Sequence, residues 1–160
     1  MNRNPKTIGL ISDTHGLLRP QALSALEGSD LIIHAGDVGA PKILETLKTL
    51  APVFAVRGNV DTDPWALALP ETEVVEMDRA TLYVLHDVHA LDLDPAAAGF
   101  HIVVSGHSHK PAGTEHGGVL FLNPGSAGPR RFDLPVTVAL LRLDQNPWKI
   151  DFIDLLAGSK

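Results

Sequence analysis

Short apolar runs rich in isoleucine, valine and leucine alternate along the chain with turn residues. Runs of this length are typical of strands that are buried on both faces. Five such strands are predicted, at Thr7–Ser12, Leu31–Ala35, Val53–Val56, Leu82–Leu85 and Ile102–Val104. Segments with helical spacing separate the first three strands, at Pro20–Glu27 and Pro41–Leu50. Because strands and helices alternate, this part of the chain is predicted to be α/β.

The pattern changes in the last third of the chain. Val119–Leu122, Val136–Leu143 and Trp148–Ile153 predict antiparallel strands, and the last of them alternates apolar with charged residues. We expect these strands to form a second sheet that packs face to face on the first, with helices outside. The predicted fold class is therefore α/β, with two packed β-sheets flanked by helices in an α/β/β/α sandwich. No repeat or linker divides the chain, so residues 1–160 are expected to form a single domain.

Composition narrows the possible functions. The 160 residues include no cysteine, which excludes disulfides and thiolate metal sites and is consistent with a reducing cytoplasm. The formal net charge of −6 argues against extended nucleic-acid binding, which depends on lysine and arginine. The apolar run that ends before Asp13 is too short for a signal peptide or a membrane span. We therefore expect a cytoplasmic protein that does not bind membranes.

Side chains that can ligate metals follow each of the first five predicted strands. In open α/β sheets, functional groups gather beyond the carboxyl ends of the strands, so these side chains are expected to converge. An isolated aspartate or asparagine after a strand is more often a turn former, and only the recurrence favours a metal site. The candidates are Asp13, His15, Asp37, Asn59, His86, His107 and His109.

The spacing and number of these residues favour two metal ions. Asp13 and His15 are two positions apart, as are His107 and His109, so in extended backbone each pair would point to the same side. Glycines adjoin the clusters, where the backbone must turn or approach closely. Seven candidate ligands exceed the needs of one four-coordinate ion, and a carboxylate such as that of Asp37 can bridge two ions.

In these motifs the sequence resembles the calcineurin-like metallophosphoesterases, specifically the small bacterial and archaeal phosphodiesterases without a cap domain. The matching stretches, in family order, are Asp13-Thr14-His15, Gly36-Asp37, Gly58-Asn59-Val60-Asp61, His86, Gly106-His107-Ser108-His109 and Asn123-Pro124-Gly125-Ser126. The family fold is a β-sandwich flanked by helices, in agreement with the prediction above. By position, the resemblance implies one ion held by Asp13, His15, Asp37 and His109, and another held by Asp37, Asn59, His86 and His107.

The resemblance and the charge of the site together predict a phosphate-ester hydrolase. A hydroxide that bridges the two ions, held through Asp37 and Asn59, is the expected nucleophile, and a small phosphate ester, most simply a phosphodiester, is the expected substrate. Mixed imidazole, carboxylate and amide ligation suits Mn²⁺, Fe²⁺, Zn²⁺ or Ni²⁺, and we name manganese first.

Two positions depart from the family pattern. The family usually has a histidine, thought to protonate the leaving group, after the asparagine of its Gly-Asn motif, and here Val60 occupies that place. Asp87 and Val88 follow His86 where relatives often have Gly-His, with His89 one place later. The source of the leaving-group proton and the roles of Asp87 and His89 therefore stay open.

Two other functions compete with that of a phosphate-ester hydrolase. The same fold serves in eukaryotes as a retromer scaffold subunit with an eroded metal site, so a degenerate or metal-binding scaffold that acts through protein–protein interaction is the alternative. A mononuclear iron oxygenase would leave most candidate ligands unused.

Three further residues are expected to have supporting or surface positions. His34 is expected to be a buried, hydrogen-bonded histidine, His89 an exposed one, and Asp61 a residue that orients the Asn59 loop. An edge strand could support a homodimer.

Overall fold

The protein is described here by a computed structural model that covers residues 6–77 and 79–157. Helices α1 (Pro20–Leu26) and α2 (Pro41–Leu47) follow the first two strands, and short 3₁₀ helices form at Ala66–Ala68 and Val88–Ala90. The strands are β1 (Thr7–Ile11), β2 (Leu31–His34), β3 (Val53–Ala55), β4 (Thr72–Glu76), β5 (Thr81–Leu85), β6 (Ile102–Val104), β7 (Ala112–His116), β8 (Val119–Asn123), β9 (Thr137–Arg142) and β10 (Lys149–Asp154). Every element predicted from the apolar pattern is present.

Two strands were not predicted because they carry little of that pattern. In β4 only Val75 is buried, and glutamates flank its two valines. All five residues of β7 are exposed, and one of them is Gly113. Both strands lie at sheet edges, where they need to bury little side-chain area to form.

The strands form two five-stranded mixed sheets. Sheet A has the order β10-β9-β1-β2-β3, and sheet B has the order β4-β5-β6-β8-β7. The predicted division of the strands was wrong in two respects: β9 and β10 pair antiparallel beside β1 in the first sheet, and β5 and β6 lie in the second sheet with β8. The predicted antiparallel character of β8 is also only half correct, since β8 runs parallel to β6 and antiparallel to β7.

Apolar side chains fill the space between the sheets. Ile8 and Leu10 of β1 face this inner core with strands of sheet B, whereas Ile11 faces α1 and α2 on the outer side of sheet A. Burial on both faces explains the continuous apolar runs from which the strands were predicted. The helices have only seven residues each, so their stability depends on packing of their apolar faces against sheet A.

The fold class is confirmed as two packed sheets with flanking helices. The α-helices cover sheet A, whereas the outer face of sheet B is covered by the 3₁₀ turn at Val88–Ala90 and by side chains that include Leu91, Leu93 and Phe100. Within residues 6–77 and 79–157, no helix has the length and apolar character needed to cross a bilayer.

Parallel pairing aligns the carboxyl ends of the strands that precede the candidate ligands. β1, β2 and β3 are mutually parallel in sheet A, as are β5 and β6 in sheet B. The loops after these five strands meet at one end of the sandwich. This convergence agrees with the prediction from the topology of open α/β sheets.

Candidate metal centre

Five of the seven candidate ligands have side chains in one compact cluster. The ligand atoms of Asp13, His15 and His109 lie within 4.8 Å of one another, and so do those of Asp13, Asp37 and His86. Asp13 belongs to both groups. The cluster therefore joins side chains from the ends of β1, β2, β5 and β6.

The carboxylates of Asp13 and Asp37 stand at the centre of the cluster. Asp13 Oδ1 lies 3.4 Å from His109 Nε2 and 3.8 Å from the Nε2 atoms of His15 and His86. Asp37 Oδ2 lies 3.1 Å from His86 Nε2 and 3.8 Å from His15 Nε2. Each carboxylate thus approaches histidines that the resemblance assigns to different ions.

Each carboxylate uses its other oxygen to accept hydrogen bonds from the protein. Asp13 Oδ2 accepts from Ser12 Oγ at 2.7 Å and from the His107 N–H at 3.1 Å. Asp37 Oδ1 accepts from the Val60 N–H at 3.0 Å. These bonds fix the orientation of both groups and leave one oxygen of each directed at the histidines.

Buried polar atoms without partners support a role in metal binding. Six buried side-chain nitrogen or oxygen atoms in the described part of the chain have no hydrogen-bond partner. Four of the six belong to candidate ligands: Asp13 Oδ1, His15 Nε2, His86 Nε2 and His109 Nδ1. The 3.1 Å approach of His86 to Asp37 lacks hydrogen-bond geometry. Since unpaired buried polar groups are rare and costly, this concentration is consistent with cations as the missing partners.

His107 and Asn59 lie at the rim of the cluster. The His107 ring centroid is 5.2 Å from that of His86, and its side chain is 45% exposed. Asn59 is exposed and lines the same cleft as His86 and His107. The half of the centre that the resemblance assigns to the second ion is therefore more open to solvent than the first.

Left-handed backbone places most of these side chains. Six non-glycine residues of the described chain have positive φ, and five of them are candidate ligands. The expectation that paired ligands converge through extended backbone was therefore wrong, because such φ values lie in the left-handed region. The five values are 56° for Asp13, 46° for His15, 58° for Asp37, 72° for His107 and 64° for His109.

Hydrogen bonds between the loops after β1 and β2 hold this backbone. The N–H of Asp13 donates to the Gly36 carbonyl at 3.0 Å, and that of His15 donates to the Asp37 carbonyl at 2.9 Å. The left-handed conformation costs about 1–2 kcal/mol for each non-glycine residue. Non-glycine residues persist in it at functional sites, where the surrounding structure enforces it.

Glycine is required where two ligand loops approach each other. A Cβ atom on Gly58 would overlap the Asp37 carboxylate, and one on Gly106 would lie 2.6 Å from Asp13 Oδ2. Real Cβ atoms do not come this close to a carboxylate oxygen. The close approach predicted for glycines beside the ligand clusters is therefore present at these two positions.

Hydrogen bonds also fix which histidine nitrogen faces the cluster. His86 Nδ1 lies 2.8 Å from the Ala35 carbonyl, which can only accept, so Nδ1 carries the proton. His86 Nε2 is then free to coordinate. A carbonyl behind a histidine that fixes its tautomer in this way is a recurrent feature of metal sites.

His34 is structural, as predicted. Thr14 Oγ1 donates its single hydrogen to the Val38 carbonyl, so His34 Nε2, 3.0 Å away, must donate to Thr14 Oγ1. His34 Nδ1 accepts from the Gly36 N–H at 3.1 Å. Burial lowers the pKa of His34 to about 3, against an opposing effect of the Asp61 carboxylate. His34 is therefore neutral, with both ring nitrogens engaged.

The pKa shifts of two cluster histidines differ in direction. Burial lowers the pKa of His109, against the opposing effect of Asp13, so His109 offers a neutral imidazole. Burial also acts to lower the pKa of His86, but the Asp37 carboxylate and the Ala35 carbonyl outweigh it and raise this pKa. Because metal ions and protons compete for histidine nitrogens, metal affinity is coupled to pH.

Residues outside the ligand set form hydrogen bonds that support the loops carrying the ligands. Asn123 Nδ2 donates to the Gly106 carbonyl at 2.9 Å and to Ser108 Oγ at 3.0 Å, and Ser126 Oγ donates to the Asp13 carbonyl at 3.1 Å. The resemblance included Asn123-Pro124-Gly125-Ser126 only as a matching stretch, without a role. The structure gives this segment a supporting role that only the long-range contacts reveal.

Asp61 joins two ligand loops. Its side chain is buried and accepts three backbone hydrogen bonds, from Val38 at 3.1 Å, Gly39 at 3.1 Å and Gly58 at 2.9 Å. The carboxylate thus connects the loop that carries Asp37 to the loop that carries Asn59. The predicted orienting role is consistent with these contacts.

Replacement of Asp61 is expected to weaken metal binding. In Asp61→Asn, an amide NH₂ replaces one acceptor and confronts a backbone donor, which leaves a buried N–H unpaired at a cost of about 1–3 kcal/mol. Loss of an outer-shell partner typically costs ~10–100-fold in metal affinity. Titration of chelated protein with Mn²⁺ checks this, with Asp63→Asn as the control because Asp63 is exposed two residues away. Equal affinity in Asp61→Asn and the natural protein would contradict the prediction.

Comparison with known proteins agrees with this geometry. The family model of the calcineurin-like phosphoesterase superfamily domain matches residues 7–146. The chain belongs to this superfamily. The calcineurin-like match includes all seven candidate ligands and all strands from β1 to β9.

Several known proteins are similar to this chain. The chain is 36% identical over 149 residues to a probable metallophosphoesterase from Methanothermobacter thermautotrophicus, with 86% of each chain covered. It is 29% identical over 158 residues to phosphodiesterase YfcE from Escherichia coli, with 83% of this chain and 85% of YfcE covered. It is also similar to zinc-complexed Vps29 from Entamoeba histolytica, at a TM-score of 0.64 and 26% identity over 93% of this chain and 99% of Vps29.

Proposed function

We propose that this protein hydrolyses phosphodiesters with two divalent transition-metal ions. One ion would be held by Asp13, His15, Asp37 and His109, and the other by Asp37, Asn59, His86 and His107. The observation that carries the proposal is the cluster of five candidate ligands, in which Asp13 Oδ1, His15 Nε2 and His86 Nε2 are buried without hydrogen-bond partners. When bound, such ions lower the pKa of water and stabilise the attacking and leaving oxygens of an in-line displacement.

The residues around the cluster would prepare it for an anionic substrate. Hydrogen bonds from Ser12 and Val60 orient the two carboxylates, and the Ala35 carbonyl fixes the His86 tautomer. With two divalent cations and only two carboxylates, the centre would keep positive charge that a phosphate group can neutralise. A singly charged diester needs less of that charge than a doubly charged monoester, which favours diesters.

Manganese is our first choice for the native metal. Imidazole, carboxylate and amide ligands suit several divalent transition metals, and geometry and availability decide among them. The relation to YfcE, a protein named as a phosphodiesterase, supports the proposed reaction class. The relation to Vps29 favours a second candidate, in which the chain binds metal and acts as a protein-interaction scaffold.

A metal and substrate screen separates the two candidates. Purified protein is stripped with chelator, then assayed with Mn²⁺, Zn²⁺, Ni²⁺ and Mg²⁺ against bis(p-nitrophenyl) phosphate and p-nitrophenyl phosphate, while bound metal is measured by elemental analysis. We expect about two ions per chain, with the diester cleaved faster than the monoester. Two bound ions without turnover of either ester would favour the scaffold, and an absence of metal binding would contradict both candidates.

A further inference from the structure

A cleft opens beside the half of the metal centre that is exposed to solvent. Its volume is about 500 Å³, and its lining includes Asn59, His86 and His107. This volume lies within the range of about 300–1,000 Å³ that is typical of small-molecule sites. A group in the cleft can therefore be bonded to a phosphorus atom held at the metal centre, and a methyl ester would leave most of the cleft empty.

Acidic side chains line the cleft beside the candidate metal ligands, and Asp87 Oδ2 lies 3.8 Å from His107 Nε2. Glu71, Asp87 and Asp92 line the cleft, and Arg57 is its one arginine or lysine among the described residues. Arg57 Nη2 lies 3.0 Å from Glu71 Oε1, and Nη1 donates to the Leu67 carbonyl at 3.3 Å. Without the metal ligands, the three carboxylates and the one paired guanidinium give the cleft lining a formal charge of −2.

This charge sets the chemistry of the group that the cleft can hold. Ionised carboxylates accept hydrogen bonds and cannot donate them, so they favour hydroxyl or amine donors. A second phosphate would face like charges in the cleft, an arrangement that suppresses wrong partners. Tyr83 and Leu85 supply an apolar surface, with Tyr83 stacked on Phe100 at a ring-centroid distance of 4.9 Å.

We propose that the cleft receives one ester group of the diester, and that this group carries hydrogen-bond donors and no negative charge. The inference rests on the proposed phosphodiesterase function and names its substrate class. Asp92 and Glu71 determine specificity in this scheme, because they reject an additional anionic group and stand outside the ligand set. A nucleoside or a sugar alcohol has the required size and donors.

A matched pair of substrates tests the proposal. The p-nitrophenyl ester of thymidine 5′-phosphate carries a free 3′-hydroxyl, and its 3′-phosphorylated counterpart adds one anionic group. We expect kcat/KM to favour the hydroxyl form by about 10-fold or more. The preference should fall in Asp92→Asn and in Glu71→Gln, whereas Asp144→Asn should retain it, because Asp144 lies in an exposed turn outside the cleft.

A binding measurement provides a readout independent of turnover. Tyr83 is the single tyrosine of the chain, so ¹³C-tyrosine labelling gives one ring environment in the NMR spectrum, and that environment lies in the cleft. Titration of zinc-loaded protein with thymidine 5′-methylphosphonate should shift the Tyr83 signal. The 3′-phosphorylated form should shift it only at a concentration about 10-fold or more higher.

The outcomes distinguish failure of the cleft from failure of the metal centre. Methyl p-nitrophenyl phosphate has no group that needs the cleft, so its hydrolysis reports the metal centre alone, and its absence would refute the proposed function. The Tyr83 titration tests which group binds in the cleft, whether or not the metal centre hydrolyses the ester. Equal kcat/KM values for the two thymidine esters, or Tyr83 shifts at equal concentrations of the two phosphonates, would overturn the inference. A preference for the phosphorylated form that disappears in Arg57→Gln would also overturn it, because Arg57 would then have left Glu71 to bind the phosphate.

Discussion

An Asp37→Ala protein is expected to lose more metal and more activity than any variant of the rim ligands. Asp37 Oδ2 approaches both His15 and His86, so its removal takes a charged donor from both proposed ion sites at once. The loss of activity should exceed the ~10–100-fold that removal of an outer-shell partner costs. Elemental analysis should find fewer than two ions per chain, alongside kcat/KM for a diester.

Two further variants make this result specific. Asn59→Ala removes an exposed, uncharged rim ligand and should cost less activity than Asp37→Ala. Asp13→Ala tests the competing bridge, because Asp13 Oδ1 lies near histidines of both proposed ion sites. An Asp37→Ala protein that keeps two ions and near-normal turnover would refute the bridging role. A loss of both ions only in Asp13→Ala would transfer that role to Asp13.

Cleavage rates are expected to fall steeply as the leaving group becomes poorer. The side chain of Val60 is 48% exposed and cannot donate a proton, and only its backbone N–H contacts the centre, at Asp37. A well-placed general acid contributes about 10²- to 10⁴-fold, and its absence weighs most on poor leaving groups. Aryl diesters should therefore react far faster than alkyl diesters, with log kcat declining as leaving-group pKa rises.

The Val60→His variant is the matched comparison. Because Val60 is half-exposed, a histidine can be introduced there without displacing core side chains, and it should accelerate alkyl diesters more than aryl diesters. The alternative donors are poorly suited to this task, since both ring nitrogens of His34 are engaged and the side chain of His89 is 91% exposed. A flat dependence on leaving-group pKa in the natural protein would show that another residue already supplies the proton.

The sequence predicted the position of the site better than its backbone. The strands that precede Asp13, Asp37 and His86 are buried on both faces, so their apolar runs were easy to recognise and their carboxyl ends located the ligands. Local patterns contain no signal for left-handed backbone at an aspartate or histidine. That conformation is enforced by hydrogen bonds between loops that are distant in sequence, such as the bond from the Asp13 N–H to the Gly36 carbonyl.

Long-range contacts, which local sequence patterns do not show, also determine parts of the fold and the cleft. The exposed edge strands β4 and β7 lack an apolar pattern, and the sheet to which β9 belongs is decided by pairing with β1 and not by its own residues. Glu71 and Asp92 are unremarkable acidic residues in sequence. Only the fold shows that they line one cleft with His86.

The division of sheet A between the two ends of the chain has a consequence for folding. Thr7 of β1 pairs with Arg142 of β9, and every strand of sheet B lies between these two residues in sequence. Pairing partners that are so distant raise the contact order, which slows folding. During synthesis, β1 can acquire its second neighbour only after sheet B has been made. Ser126, which contacts the Asp13 carbonyl, forms a β-bridge with Val136, the residue that precedes β9, so the metal-ligand loops should reach their final positions late, when the last strands close the first sheet.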